Sequence, residues 1–191
     1  MEFIHFLSSI DSQCTVFLNG LHLPFLDFLM DWISYRFTWI PFYIILFVII
    51  YRKFGRDAFL VLIIAAALVT VSDQSANYVK NHVQRFRPCH DPAISNLIHL
   101  VTNCGGNYGF FSGHASNTFS LSVFLVLINR KRIANLSIIM LSYAILVSYS
   151  RIYNGVHFAG DILCGALWGS ALGYLFSRIY LYSEAKIHKI D

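Results

Sequence analysis

The sequence contains few charged residues. Asp, Glu, Lys and Arg together occupy 13% of its 191 positions, whereas hydrophobic residues occupy 57%. Soluble domains carry about 25% charged residues, so this composition argues against a soluble protein and predicts one that lies in a bilayer. The chain also lacks any linker-like stretch rich in Pro, Gly and Ser, and we therefore expect a single membrane domain.

The first twenty residues lack the basic start and the small-residue cleavage site of a secretory signal peptide. Acidic Glu2 and Asp11 stand there instead. Apolar residues recur at helical spacing, at Phe3, Phe6, Leu7, Ile10, Cys14, Phe17 and Leu18. We predict that residues 1–20 form an amphipathic helix in the membrane interface. Asp11, near the middle of this segment, argues against a sixth membrane span.

Long apolar runs fill most of the remaining chain. Five segments approach the ~20 residues that span a bilayer: Trp32 to Tyr51, Ala58 to Val79, Ala115 to Asn129, Ile133 to Tyr149 and Ile162 to Tyr182. We predict five transmembrane helices. The last carries Gly165, Gly169 and Gly173, and small residues at this spacing favour close helix packing in membranes.

Basic residues indicate the orientation of these spans, because Lys and Arg are retained on the cytoplasmic side. The side opposite to the N-terminus receives nine of the fourteen: Arg52, Lys53, Arg56, Arg130, Lys131, Arg132, Arg178, Lys186 and Lys189. We expect that side, and the C-terminus, to be cytoplasmic. The clusters follow apolar runs, so the formal net charge of +4 indicates membrane topology and no nucleic-acid partner.

Three polar segments fall on the other side of the membrane. They are Lys80–Pro88 at the end of the second span, Ser112–His114 at the start of the third, and Ser150–Asp161 between the fourth and fifth. Charge bias and the number of spans therefore place the candidate functional residues together, at the outer face.

Five of these residues could bind a tetrahedral anion. Lys80, Arg87 and Arg151 supply positive charge, and guanidinium groups bind phosphate oxygens bidentately. Ser112 adds a hydroxyl, and the backbone N–H of Gly113 adds a donor at a helix N-terminus, where anions are favoured. Such donors stabilise negative charge that develops during a reaction.

Two histidines and an aspartate could supply the chemistry. His157 and Asp161 are four residues apart, so on a helix the carboxylate would reach the imidazole. Asp161 would then orient His157 for attack on phosphorus, giving a phosphohistidine. His114 could protonate the leaving alkoxide and activate water for the second step. This scheme requires no metal and no cofactor.

The sequence resembles the type 2 phosphatidic acid phosphatase (PAP2) superfamily, whose signatures are KxxxxxxRP, PSGH and SRxxxxxHxxxD. The matching residues are Lys80, Arg87 and Pro88, then Ser112, Gly113 and His114, then Ser150, Arg151, His157 and Asp161. Phe111 stands where proline is usual in the second signature, a change that affects loop rigidity and no catalytic group.

This resemblance implies an all-α helical bundle in the membrane, with metal-independent hydrolysis through a phosphohistidine on His157 and with His114 as acid and base. It covers about residues 20 to 182, so we expect a phosphatase domain over residues 21–182 and a cytoplasmic tail over residues 183–191. Vanadate-dependent haloperoxidases share the anion cage, by which we mean the anion-binding residues Lys80, Arg87, Ser112, Gly113 and Arg151. Those known to us are soluble and larger, so the composition favours lipid phosphatases.

Other polar residues have weaker assignments. Cys89 and Cys104 bracket a loop expected outside the cytoplasm, where a disulfide could persist. Histidines at 82, 90 and 99 lie near Asp91, but their spacing matches no strong zinc pattern, and we interpret them as ordinary loop residues.

Asp73 is an ionisable group inside a predicted span, which is costly and often functional. It lies seven residues before Lys80 on the same helical face, and we hypothesise that it orients a basic residue. Ser150 is a further candidate for supporting the site.

The function implied is that of a lipid phosphatase at the periplasmic leaflet of a bacterial inner membrane, acting on a phospholipid or lipid-linked phosphate. Lipid A, at its 4'-phosphate, is the substrate we favour by analogy with small phosphatases that have outward-facing sites. Undecaprenyl pyrophosphate and phosphatidylglycerol phosphate are alternatives. A phosphotransferase, or an inactive scaffold that binds anionic lipid, is also compatible with the sequence, which leaves the oligomeric state open.

Overall fold

The computed structural model describes residues 2–189, without the side chains of Phe3 and Ile4. Over this range the protein is all-helical, as predicted. The helices are α1 (Glu2–Gly20), α2 (Pro24–Ser34), α3 (Ile40–Phe54), α4 (Asp57–Val83), α5 (Gly113–Ile128), α6 (Leu136–Tyr153) and α7 (Ala159–Ile187). Met1 and residues 190–191, the end of the predicted tail, lie outside the described residues.

Four segments are long and apolar enough to cross a membrane: Arg36–Phe54, Asp57–Val83, Leu136–Tyr153 and Ala159–Ile187. The third predicted span is a shorter apolar helix, α5, with 16 residues. At 1.5 Å per residue α5 is about 24 Å long, less than the ~30 Å of bilayer hydrocarbon. It contacts α4, α6 and α7 and forms the centre of the bundle.

The first predicted span, Trp32 to Tyr51, is interrupted in the structure. Helix α2 ends at Ser34, a 3-10 turn occupies Arg36–Trp39, and α3 begins at Ile40. Pro41 in the first turn of α3 explains the new start, because proline lacks an N–H but has the dihedral angle that a first helical turn requires. The indole N–H of Trp39 donates to Ile33 O (2.8 Å) and holds the turn.

Helices α5 and α7 pack backbone to backbone, which confirms the packing role predicted for the three glycines. A β-carbon on Gly165 would lie 2.6 Å from Ser112 O, and one on Gly173 would lie 2.5 Å from Ser120 O. Gly169 meets Ser116 in the same way. Glycines of α7 thus face serines of α5 at matching four-residue intervals, and the close approach places the start of α5 beside the start of α7.

Candidate active site

The loop between α4 and α5 presents Arg87. Its two arms pair at Phe86 and Tyr108, and Cys89 and Cys104 form a disulfide. The Arg87 guanidinium donates to Cys104 O (2.5 Å) and to Tyr108 O (3.3 Å). The position of this side chain therefore depends on the closed loop.

A cavity of about 610 Å³ begins at this loop and extends between α3, α4, α5 and α6. Its polar end contains most residues that the sequence analysis selected: Asp73, Lys80, Arg87, Gly113, His114, Arg151 and His157. Its other end is apolar and includes Leu46, Ile50, Val61 and Leu125. One cavity therefore joins a cationic region to a path lined by hydrocarbon side chains.

The three predicted cations converge on the polar end of this cavity. A β-carbon on Gly113 would lie 3.6 Å from Lys80 Nζ, so the ammonium sits over the N-terminus of α5. Arg151 donates through Nη1 to Ser34 Oγ, and its buried Nε has no partner among residues 2–189. Buried donors are almost always hydrogen-bonded, so an unpaired Nε in a cavity is suited to an anion.

His157 and Asp161 are in contact, although not as an i,i+4 pair within one helix. His157 lies before α7, whereas Asp161 is in its first turn and accepts the N–H of Phe158 (3.1 Å) as a cap. The same carboxylate oxygen is 3.2 Å from His157 Nδ1. Asp161 therefore contacts only Nδ1 of His157 and makes no hydrogen bond to Nε2. An imidazole that a carboxylate orients in this way can act as a nucleophile.

Burial and the neighbouring cations affect the charge state of His157, which is 1% exposed. Burial lowers the pKa of His157 well below its ordinary value, and the positive charges of Arg151 and Arg87 lower this pKa further. The imidazole is therefore neutral near pH 7, which is the nucleophilic form.

Three predicted residues do not line the cavity: Ser112, Ser150 and Asp161, which contacts His157 from outside the lining. Ser112 is buried and caps α5, with its hydroxyl accepting the N–H of Ala115 (3.4 Å). Ser150 is buried within α6, where its hydroxyl donates to Val147 O (2.7 Å). The side chains of Ser112 and Ser150 thus make hydrogen bonds within or at the start of their own helices. Their place in the sequence signatures is explained by the structure of the helices around the cavity.

Asp73 does line the cavity, and its carboxylate has two amide partners. Asn77 donates to Oδ2 (3.1 Å), and Asn117 of α5 donates to Oδ1 (3.4 Å). A β-carbon on Gly113 would lie 3.9 Å from Asp73 Oδ1. Asp73 is thus near Lys80, but its hydrogen bonds connect α4 to α5.

Sequence reasoning missed a network behind His157. Arg85 donates to Asp161 Oδ1 (3.0 Å) and to Asp11 Oδ2 (2.7 Å), and its guanidinium stacks over the Phe158 ring at 3.9 Å. Asp11 in turn accepts the N–H of Gly160 (2.7 Å). The polar residue in the middle of α1 therefore caps α7 and pairs with Arg85; pairing across 74 residues leaves no local signal.

Gly109 is a second residue that the sequence pattern did not reveal. A β-carbon there would lie 2.9 Å from Asp161 Oδ2 and 3.4 Å from His157 Nδ1. The backbone of the loop therefore lies directly against this pair, and a larger residue would displace it.

The three histidines near Asp91 in the sequence, His82, His90 and His99, have different neighbours. His82 contacts Tyr78 O, and His99 pairs with Asp27 (3.0 Å). His90 lies with Cys89 and Cys104 in the one group of potential ligands found within residues 2–189. Those cysteines are joined in the disulfide, which removes the thiolates that a metal would need.

Comparison with known proteins agrees with this geometry. Residues 54–185 match the PAP2 superfamily model. The chain is 38% identical over 177 residues to a lipid A 4'-phosphatase of Bacteroides thetaiotaomicron, covering 91% of this chain and 78% of the relative. A lipid A 4'-phosphatase of Porphyromonas gingivalis is 34% identical, with 96% and 78% covered.

A solved structure shares the fold. The crystal structure of Aquifex aeolicus LpxE superposes with a TM-score of 0.66 at 25% identity, covering 87% of this chain and 93% of that one. The family match extends over most of the bundle and includes every predicted site residue that lines the cavity. The chain therefore belongs to the PAP2 superfamily and is a membrane lipid phosphatase.

Proposed function

We propose that this protein removes the 4'-phosphate of lipid A at the periplasmic face of a bacterial inner membrane. The observation that carries the chemistry is the single cavity in which three cations and two histidines meet an apolar path. The choice of lipid A rests on two relatives named lipid A 4'-phosphatase, to which the chain is 38% identical over 177 residues and 34% identical over 186 residues.

In the first step His157 Nε2 attacks phosphorus, and the bond from phosphorus to the lipid oxygen breaks. Lys80, Arg87 and Arg151 stabilise the charge on the phosphoryl oxygens. His114 enters this step protonated, a form that the bound phosphate dianion favours. It gives its proton to the leaving alkoxide, and the lipid alcohol is released. Asp161 holds the Nδ1 proton of His157 and stabilises the cationic ring of the phosphohistidine.

In the second step water attacks the phosphohistidine. His114, now neutral, takes a proton from this water, the N–P bond breaks, and inorganic phosphate leaves. Every proton and bond in this sequence is accounted for by residues of the chain, so we propose a metal-independent reaction.

The deciding experiment measures phosphate release by purified protein in detergent with EDTA. Lipid A, undecaprenyl pyrophosphate and phosphatidylglycerol phosphate are the substrates, and His157→Ala is the inactive control. We expect release from lipid A that the variant lacks. No release from any lipid by folded protein would support an anionic-lipid-binding scaffold, whereas transfer of phosphate to a lipid hydroxyl would identify a phosphotransferase.

The orientation is tested separately, with a reporter enzyme fused to the C-terminus. Nine basic residues on the C-terminal side support a cytoplasmic C-terminus and a periplasmic site. We expect a periplasm-dependent reporter to be inactive there and a cytoplasm-dependent one to be active. The opposite result would move the reaction to the cytoplasmic leaflet.

A further inference from the structure

Arg151 and Asn117 line the cavity, and each carries a buried polar atom without a partner; the two atoms have opposite character. Arg151 Nε is a donor and Asn117 Oδ1 is an acceptor; neither has a hydrogen-bond partner among residues 2–189. An unpaired buried polar atom costs free energy. The donor belongs to the cationic end and suits the phosphate, but the acceptor cannot bind an anion and needs a different partner.

Asp73 fixes which atom of the Asn117 amide stays free. The amide N–H of Asn117 donates to Asp73 Oδ1 (3.4 Å). Turning the amide over would bring its oxygen against the carboxylate, so the network assigns nitrogen towards Asp73 and leaves Oδ1 unpaired. The Asp73 carboxylate and Asn117 Oδ1 are thus neighbouring acceptors on two residues that line the cavity.

This acceptor pair lies between the anion cage and the apolar path. The backbone of Asp73 is seven residues before that of Lys80, about 10 Å along α4, and its carboxylate reaches the start of α5, 3.9 Å from a β-carbon on Gly113. Asn117 is three residues after His114, about 4.5 Å along α5. The hydroxyls of Ser72 and Ser116 hydrogen-bond (2.7 Å) beside them and join the two helices at the same depth.

Phosphoryl transfer requires the leaving group to lie opposite the nucleophile. With the phosphate near His157 and the lipid chains in the apolar path, the atoms next to the bridging oxygen of the substrate must pass Asp73 and Asn117. We infer that these two residues form a headgroup subsite, which accepts hydrogen bonds from hydroxyl or amide N–H groups of the leaving alcohol. This assignment rests on the proposed phosphatase function and specifies its substrate class.

The subsite favours one class of lipid phosphate over another. A sugar headgroup carries hydroxyl and amide donors that a carboxylate and an amide oxygen accept. The leaving group of a prenyl diphosphate is a second phosphate, which offers only anionic acceptors and would be repelled by Asp73. The subsite therefore selects phosphate monoesters on donor-bearing headgroups and disfavours diphosphates.

The experiment uses two substrates that differ by one donor, lysophosphatidic acid and its 2-O-methyl ether, together with lipid A. Phosphate release from each is measured in mixed micelles for the wild type, Asp73→Asn, Asn117→Leu and Asn77→Ala. Asn77 is the matched control, because it also donates to Asp73 but is exposed and lies outside the cavity lining. Thermal unfolding of each variant confirms that it is folded.

We expect the wild type to prefer the hydroxyl-bearing substrate, as measured by kcat/KM. Asp73→Asn and Asn117→Leu should each reduce this preference roughly tenfold, the usual effect of losing one hydrogen bond to a charged or buried acceptor. Asn77→Ala should keep the preference of the wild type.

Equal losses of kcat/KM on both substrates in Asp73→Asn would overturn the subsite and leave Asp73 as a partner of Lys80. Hydrolysis of lysophosphatidic acid without hydrolysis of lipid A would instead refute the proposed physiological substrate. The ratio of kcat/KM for lysophosphatidic acid to that for its 2-O-methyl ether would still test the subsite.

Discussion

At the scale of single residues, the side of His157 that faces Asp161 and Gly109 has no spare volume. Gly109 has no side chain, and a β-carbon there would meet the carboxylate of Asp161 at 2.9 Å. Such a contact must displace either the loop or the Asp161–His157 pair. Displacement of a reacting group by about 1 Å can cost roughly 100-fold in rate.

We therefore expect Gly109→Ala to lower kcat by roughly 100-fold, measured as phosphate release in detergent. Gly106→Ala is the matched control, since it lies in the same loop and a β-carbon there would meet no atom within 4 Å. Equal activity of the two variants would show that the loop accommodates a methyl group and that Gly109 has no role in positioning.

The charge state of His157 leads to a prediction about pH. The proposed reaction needs the neutral ring of His157, and burial lowers the pKa of His157 below the ordinary value of 6.5. A lowered pKa means that the neutral form persists to lower pH, so activity should be lost only below pH 6.5 as acid is added. The acid limb of kcat/KM against pH measures this. A limb centred above pH 6.5 would contradict it.

At the scale of structural elements, the N-terminal helix is attached to the site. Asp11 of α1 accepts an N–H at the start of α7 and pairs with Arg85, which also binds Asp161. We interpret Arg85 as a positioning residue that holds the Asp161 carboxylate against His157. The link explains why an amphipathic helix carries an acidic residue at its centre.

Arg85→Gln should therefore lower kcat by roughly tenfold or more with little change in KM, because losing one charged hydrogen bond weakens the orientation of Asp161. Arg85→Lys keeps the charge but not the paired geometry, and should recover part of the loss. Steady-state kinetics on one lipid substrate separates the two constants. An unchanged kcat in Arg85→Gln, or a change confined to KM, would remove Arg85 from this role.

The sequence predicted the elements and most residues at the polar end of the cavity for identifiable reasons. Apolar runs and glycine spacing are local signals, so the helices and the α5–α7 contact could be inferred. Lys80, Arg87, His114 and His157 follow short signatures that retain their spacing. The break between α2 and α3 fell inside one continuous apolar run, which concealed it. Contacts between distant segments, such as Arg85 with Asp11, leave no periodic pattern to recognise.

At the scale of the whole molecule, the cavity connects the reacting groups to the apolar interior of the bundle. Ala65 of α4 lines its apolar part, whereas Ala67 is exposed and does not. The space beside Ala65 is suited to the hydrocarbon chain of a lipid, because its neighbours include Leu46, Val61 and Leu125.

Ala65→Trp should fill this space and reduce kcat/KM for a long-chain lipid phosphate by roughly tenfold or more, with a much smaller effect on a short-chain, water-soluble analogue. Losing the burial of two methylene groups already corresponds to about that factor, at ~0.8 kcal/mol each. Ala67→Trp adds the same bulk on the outer surface and should behave as the wild type. If Ala65→Trp and Ala67→Trp show the same ratio of kcat/KM for the long-chain lipid to that for the short-chain analogue, the hydrocarbon chain binds elsewhere.

The contrast between the two ends of the cavity also bears on the direction of the reaction. Hydrolysis yields one product that dissolves in water and one that dissolves in hydrocarbon, and each end of the cavity matches one of them. In the proposed reaction, phosphate would depart past the charged loop and the dephosphorylated lipid would return to the bilayer. Because the products separate into different phases, they rarely meet again in the site, and recombination is suppressed without any moving part.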